Sequence, residues 1–138
     1  MSQDGNGSAE VRHNATMLKM YGIPHCDTVK KARTWLQAQG VAFEFHDFKK
    51  QGVTPEQVQG WLSSPHGPDW SVLLNRKGTT WRGLPPATQA LAVDAASAVA
   101  LIAAHPSLIK RPVLVWPHRI TVGFSPDEWA KELAAMLP

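Results

Sequence analysis

The chain has 138 residues and a mass of 15.1 kDa, with 43% apolar and 18% charged residues. That length suits one domain and is short for two, and the apolar content excludes a wholly disordered chain. A single cysteine excludes an intramolecular disulfide, a zinc finger and a CxxC redox pair, and one unpaired thiol fits a reducing compartment. The net charge of +3 is a mild basic excess, with no run longer than pairs such as Lys30-Lys31 and Lys49-Lys50. Nucleic-acid domains concentrate such charge far more, so no direct nucleic-acid contact is expected. A small anionic ligand needs only a few cations in one cleft and stays compatible with this balance.

Residues 1–16 are small and polar and contain Gly5, Asn6, Gly7 and Ser8. They lack the apolar stretch of a signal peptide and are expected to form a disordered tail ahead of a single domain over 17–138. The most apolar stretch, Ala95 to Ala104, is far below the roughly 20 residues that span a bilayer. A cytoplasmic protein without a membrane partner is expected.

Met17 to Gly22 reads as a short strand that ends on glycine. Ile23-Pro24-His25-Cys26 forms a loop, and Asp27 to Gln39 a helix with Val29, Ala32 and Leu36 on one face and Gly40 as its stop. Val41, Phe43 and Phe45 alternate along a half-buried second strand. A strand, a helix and a second strand imply a parallel, right-handed crossover. Thr54-Pro55-Glu56-Gln57 is a capping box that opens a second helix, with Val58, Trp61 and Leu62 buried.

A helical insertion is expected over about 66–106. It holds the apolar run Trp70 to Leu74, a turn at Asn75 to Gly78, a short helix within Pro86 to Leu91, and a helix Ala95 to Ala104 capped by Asp94. Arg111-Pro112 then precedes Val113 to Trp116, a continuous apolar run typical of a central strand. Pro117-His118 turns the chain into a hairpin partner, Arg119 to Gly123. Ser125 to Glu128 is a second capping box, opening a last helix with Trp129, Leu133, Met136 and Leu137 on one face. The order βαβα, helical insertion, ββα implies a mixed four-stranded α/β sheet with helices on its faces, as in the thioredoxin architecture.

The chemistry concentrates at Cys26. A thiol just ahead of a helix faces unpaired N–H groups and the positive end of the dipole, and both favour the thiolate. Lys30 and Lys31 add positive charge, Asp27 opposes it, and a protonated His25 would support it. Thiolates so placed titrate well below the free value of roughly 8.5. The alternative is a buried, inert small hydrophobe, the usual fate of a lone cysteine. The six histidines show no metal-ligand spacing, and no P-loop or GxGxxG is present, so no metal or bound cofactor is expected.

Tyr21 to Ala32 resembles the active-site start of YffB-like proteins, a subgroup of the arsenate reductase (ArsC) and Spx family of the thioredoxin fold. The resemblance continues at Leu73 to Arg82, Asp94 to Ser97, His105 to Pro112 and Val122 to Ser125, and covers about Met17 to Leu137. It implies that Cys26 is the nucleophile and that Arg111 contacts a bound oxyanion. It also implies that Pro112 is the cis-proline ahead of the third strand, which would present the Arg111 backbone to an extended peptide such as glutathione. Arg76, Lys77 and Arg82 are candidates to line the cleft around Cys26 and bind glutathione carboxylates, or else form a solvated basic loop. Lys30 is a further candidate, and Thr28 would bond Sγ or cap the helix. Trp81 is core or cleft wall, with core the default.

The chain also departs from that pattern. Arsenate reductases use two further arginines; here Asn75 stands at one matching place, with Arg76 one step later, and Gly123-Phe124-Ser125 carries none, leaving Arg119 nearby. Position 29 is valine, so the CxxC of Spx-type regulators is missing. The first expectation is therefore a glutathione-dependent thiol reductase with a thiol or disulfide substrate. The alternatives are a glutathione- and glutaredoxin-coupled arsenate reductase, and an Spx-type regulator that binds the RNA polymerase α subunit.

Overall fold

The computed structural model describes residues 18–136. The expected tail at 1–16, and Met17 and Leu137 at the margins of predicted elements, lie outside the described residues. The sheet has four strands in the order β2-β1-β3-β4, namely β1 (Leu18–Gly22), β2 (Phe43–Asp47), β3 (Val113–Val115) and β4 (Ile120–Val122). Strand β1 pairs in parallel with β2 from Leu18↔Phe43 to Gly22↔Asp47, and antiparallel with β3, where Tyr21 faces Val113. Strands β3 and β4 form the hairpin. This is the mixed sheet expected from the element order.

Helix α1 (Asp27–Ala38) makes the parallel crossover and buries Val29, Ala32 and Leu36, the helical face read from the sequence. Gly40 follows at φ 70°, a conformation that glycine adopts without steric cost. Helix α2 (Phe48–Gln51) was not expected; it is a single turn, too short for apolar periodicity, started by the Asp47 carboxylate accepting from the Lys49 N–H at 2.8 Å. Helix α3 (Pro55–Ser63) carries the expected capping box. Thr54 Oγ1 accepts from the Gln57 N–H at 3.1 Å, and Gln57 Oε1 from the Thr54 N–H at 3.0 Å.

The insertion is helical in short pieces: α4 (Trp70–Leu73), α5 (Thr79–Arg82), α6 (Pro86–Gln89) and α7 (Ala95–Ala104), followed by a 3-10 turn, Pro106–Leu108. Asp94 caps α7, with its carboxylate accepting from the Ser97 N–H at 2.9 Å. Leu74 leaves α4 to bridge Ile109, which ties the insertion to the segment ahead of β3. Helix α8 (Pro126–Met136) closes the described chain, with Ser125 Oγ accepting from the Glu128 N–H at 3.4 Å. None of the described helices is long and apolar enough to cross a membrane.

Strand periodicity divides the core in two. Leu18, Met20, Leu114 and Trp116 face α1 and α8; Tyr21 and Val113 face α3, α7 and the insertion. Trp129 of α8 is the hub of the first face, edge-on to Trp35, Trp116 and Phe124 at 6.0, 5.7 and 4.8 Å. Such pairs add directional preference to a large buried apolar area. Trp129→Ala is expected to lower the unfolding free energy by about 3–5 kcal/mol, read as a drop in the urea midpoint; an unchanged midpoint would show that this cluster does not anchor α8.

Candidate active site

Cys26 ends the turn between β1 and α1, where its N–H donates to the Ile23 carbonyl at 3.1 Å and its carbonyl accepts from the Lys30 N–H at 2.9 Å. It is the N-cap residue of α1, so Thr28 does not hold that position. The Cys26 side chain makes no formal capping hydrogen bond. The N–H groups of Thr28 and Val29 are thereby left facing the sulfur, where they favour an anion. Val29 is also fully buried and touches the end of β1: a Cβ on Gly22 would lie 2.9 Å from Val29 Cγ2. The glycine at the strand end lets α1 sit this close to the sheet.

The β1–β3 pairing brings Arg111 to the same place. Tyr21 lies opposite Val113, so the turn that follows β1 meets the segment that precedes β3. The Arg111–Pro112 peptide is cis, as the family resemblance implied. The Arg111 guanidinium is held by a bond from Nη1 to the Ser107 carbonyl at 3.1 Å, while its buried Nε has no partner. Burial raises the Cys26 pKa, but the Val29 N–H, the hydrogen bond and charge of Arg111 and the Thr28 N–H outweigh it. The net effect is a thiol held below its ordinary value.

Cys26, Thr28 and Arg111 line a cleft of about 310 Å³ together with Asn75, Lys110, Gly123 and Phe124. Pro112 is buried behind it and accepts from the Gly123 N–H at 2.9 Å. The remaining candidates lie elsewhere. Arg76 stacks over Trp70 and Trp81, at 5.5 and 5.7 Å from the ring centroids, so it serves the insertion rather than the thiol. Lys30 and Arg82 are exposed and do not line the cleft, and Arg119 pairs with Glu132 at 2.9 Å. Trp81 is half-buried against the insertion side of the core.

Lys110, Asn75, Gly123 and Phe124 were not singled out as ligand-binding residues. All sit inside the family-like blocks, beside the positions where the family pattern carries arginine. No carboxylate lines the cleft, and no cluster of three metal-ligating side chains occurs among the described residues.

The chain matches the ArsC family model over residues 21–132. An uncharacterized protein of Haemophilus influenzae is 32% identical over 118 residues, covering 86% of this chain and all of the relative. The global transcriptional regulator Spx of Streptococcus agalactiae is 29% identical over 127 residues, covering 88% of this chain and 84% of the regulator. Among solved structures, a YffB protein superposes with a TM-score of 0.77 at 48% identity, covering 84% of this chain and 98% of its own. An arsenate reductase (ArsC) related protein from Brucella melitensis follows with 0.65 at 44%, covering 83% and 92%.

The alkylation rate of Cys26 is expected to rise with pH through a midpoint below roughly 8.5. Arg111→Met should move that midpoint upward, because it removes both a hydrogen bond and a cation. A depressed thiol pKa adds stability above the unfolded-state value and loses it as pH falls through the folded value. The stability advantage over Cys26→Ser should shrink in that direction; a wild-type midpoint at or above the free value would contradict the site's electrostatics.

Proposed function

The chain belongs to the ArsC family, and on that premise we propose that it is a glutathione-dependent thiol reductase with Cys26 as its nucleophile. The observation that carries the proposal is an activated thiol beside Arg111 in a chain with no second cysteine. The Cys26 thiolate attacks one sulfur of a disulfide in which the substrate is joined to glutathione. A bond forms between Cys26 and the glutathione sulfur, and the substrate leaves as a thiolate. A second glutathione thiolate then attacks the glutathione sulfur held by Cys26. Glutathione disulfide leaves and Cys26 returns as thiolate; the one incoming glutathione is oxidised as the substrate sulfur is reduced, so one disulfide replaces the other.

The charge of the cleft supports this reading. Glutathione carries two carboxylates, Lys110, Arg111 and the start of α1 offer positive potential, and no acid lines the cleft. The unpartnered Arg111 Nε is a buried donor awaiting an acceptor. Arsenate is the poorer match. Arg111 is the one arginine lining the cleft, with Asn75 and Gly123-Phe124 where the family pattern would supply others. A multiply charged oxyanion is stabilised by several fixed donors.

A second reading is favoured by the similarity to Spx. On it, the protein binds the RNA polymerase α subunit and Cys26 only senses redox state. The two readings separate on one variant. Incubation with glutathione disulfide should add one glutathione to Cys26, visible by intact mass, and turnover of a glutathione mixed disulfide should vanish in Cys26→Ser. Turnover that survives Cys26→Ser, or an unreactive Cys26, would remove the reductase reading. Capture of the α subunit, unaffected by Cys26→Ser, would then support the regulator.

A further inference from the structure

A second cavity, of about 400 Å³, shares no residue with the thiol cleft. It lies where α2, α5 and the end of α7 pack on the Pro106–Leu108 turn. Gly22 pairs with Asp47, so the turn carrying Cys26 and helix α2 leave the sheet at the same end. Open α/β sheets bind ligands there, outside the carboxyl ends of their strands. The volume falls within the range of small-molecule sites. On the α2 side the wall is fixed, because His46 Nε2 donates to the Gly52 carbonyl at 2.8 Å.

The lining is apolar at its base and cationic at its rim. Phe48 is buried and forms the base, with Ala104 and Pro106 beside it. Lys49 is exposed and supplies a charge, and no carboxylate lines the cavity. No hydrogen bond or ion pair among the described residues engages Lys49 Nζ, Thr80 Oγ1, the His105 ring or Ser107 Oγ. A bare inorganic anion would gain from Lys49 and leave the apolar base wet. A neutral apolar molecule would leave the ammonium unused. An apolar body with one carboxylate meets both. Its carboxylate belongs at Lys49 and Thr80, because the wall at Ala104 is the C-terminal end of α7 and carries negative partial charge.

The turn that walls this cavity also holds the thiol cleft. The Ser107 carbonyl accepts from Arg111 Nη1 at 3.1 Å, and the Leu108 carbonyl from the Asn75 N–H at 2.7 Å. Arg111 and Asn75 both line the cleft around Cys26. We propose that the cavity is a binding site for a small apolar monocarboxylate, and that the Pro106–Leu108 turn couples its occupancy to the thiol cleft. A ligand packed on Pro106 and Ser107 fixes the carbonyl that holds Arg111, and Arg111 in turn favours the thiolate. The coupling is reciprocal, so an anion held by Arg111 tightens the cavity on its own ligand. The inference stands on the geometry of the two sites and is independent of the reaction that Cys26 performs.

The probe is benzoate, with benzamide as its neutral isostere and acetate as the same charge without the apolar body. Binding to the full chain is followed by amide shift titration, and alkylation of Cys26 by iodoacetamide is timed at a pH below its midpoint. Benzoate should shift the amides of Lys49, Gly52, Thr80 and Ser107. It should bind about three- to tenfold more tightly than benzamide, the range of an exposed to charge-assisted contact, and more tightly than acetate. Lys49→Gln should abolish the preference over benzamide. Ala104→Leu, which fills the cavity from an exposed helix position that leucine suits, should bind neither. Saturating benzoate should speed alkylation of the wild type about fivefold, the low end of coupling between two sites, and leave Ala104→Leu unchanged. Benzoate that leaves those amides unmoved, or keeps its preference in Lys49→Gln, would overturn the site. Alkylation unchanged by bound benzoate would overturn the coupling, as would an equal change in Ala104→Leu, which would put benzoate on Arg111 directly.

Discussion

The register of β1 against β3 is the constraint on which the site depends. Tyr21 opposite Val113 sets the turn carrying Cys26 beside the segment carrying Lys110 and Arg111, although the chain travels through both sheet crossings and the whole insertion between them. A slip of one residue would turn Leu114 and Trp116 away from their core and move Arg111 off the sulfur together. The apolar packing on the two sheet faces therefore guards the electrostatics at the strand ends. Phe124 makes the link physical: it packs on Trp129 in the core and lines the thiol cleft.

The insertion has a different role from the one its basic residues imply. Arg76 lies over Trp70 and Trp81, and Asn75, one position earlier, faces the cleft while its backbone N–H donates to the Leu108 carbonyl at 2.7 Å. The insertion contributes a neutral wall and a brace, through the Leu74–Ile109 bridge and Lys110 N–H to the Leu73 carbonyl at 2.8 Å. Arg76 is taken up by aromatic faces, and Lys77 and Arg82 are exposed. The positive potential at the thiol comes from the approach to β3 and from a helix end.

Much of this was legible in the chain. The capping box at Thr54, the Asp94 cap, the periodic face of α1 and the apolar run of β3 are local signals, written within a turn or two of where they act. Cys26 was legible because the residues on either side mark a strand end and a helix start. The short helices α2 and α5 were not, since a single turn has no period to detect. Which basic residues reach the thiol was also hidden. Arg76 and Lys110 look alike in sequence, and only long-range pairing directs one to a tryptophan face and the other to the cleft.

Gly22 has a consequence that reaches beyond its own strand. It touches neither sulfur nor ligand, yet the absence of a side chain there sets the height at which α1 begins, since Val29 already fills the space a Cβ would need. The sulfur rides on the N-cap of that helix, so its elevation above the sheet is governed from behind. A side chain added at this hidden face would collide with Val29 and disturb the start of the helix that carries the thiol. The reactivity of Cys26 is in that sense a property of strand–helix clearance, held at a position that surveys of the cleft surface would pass over.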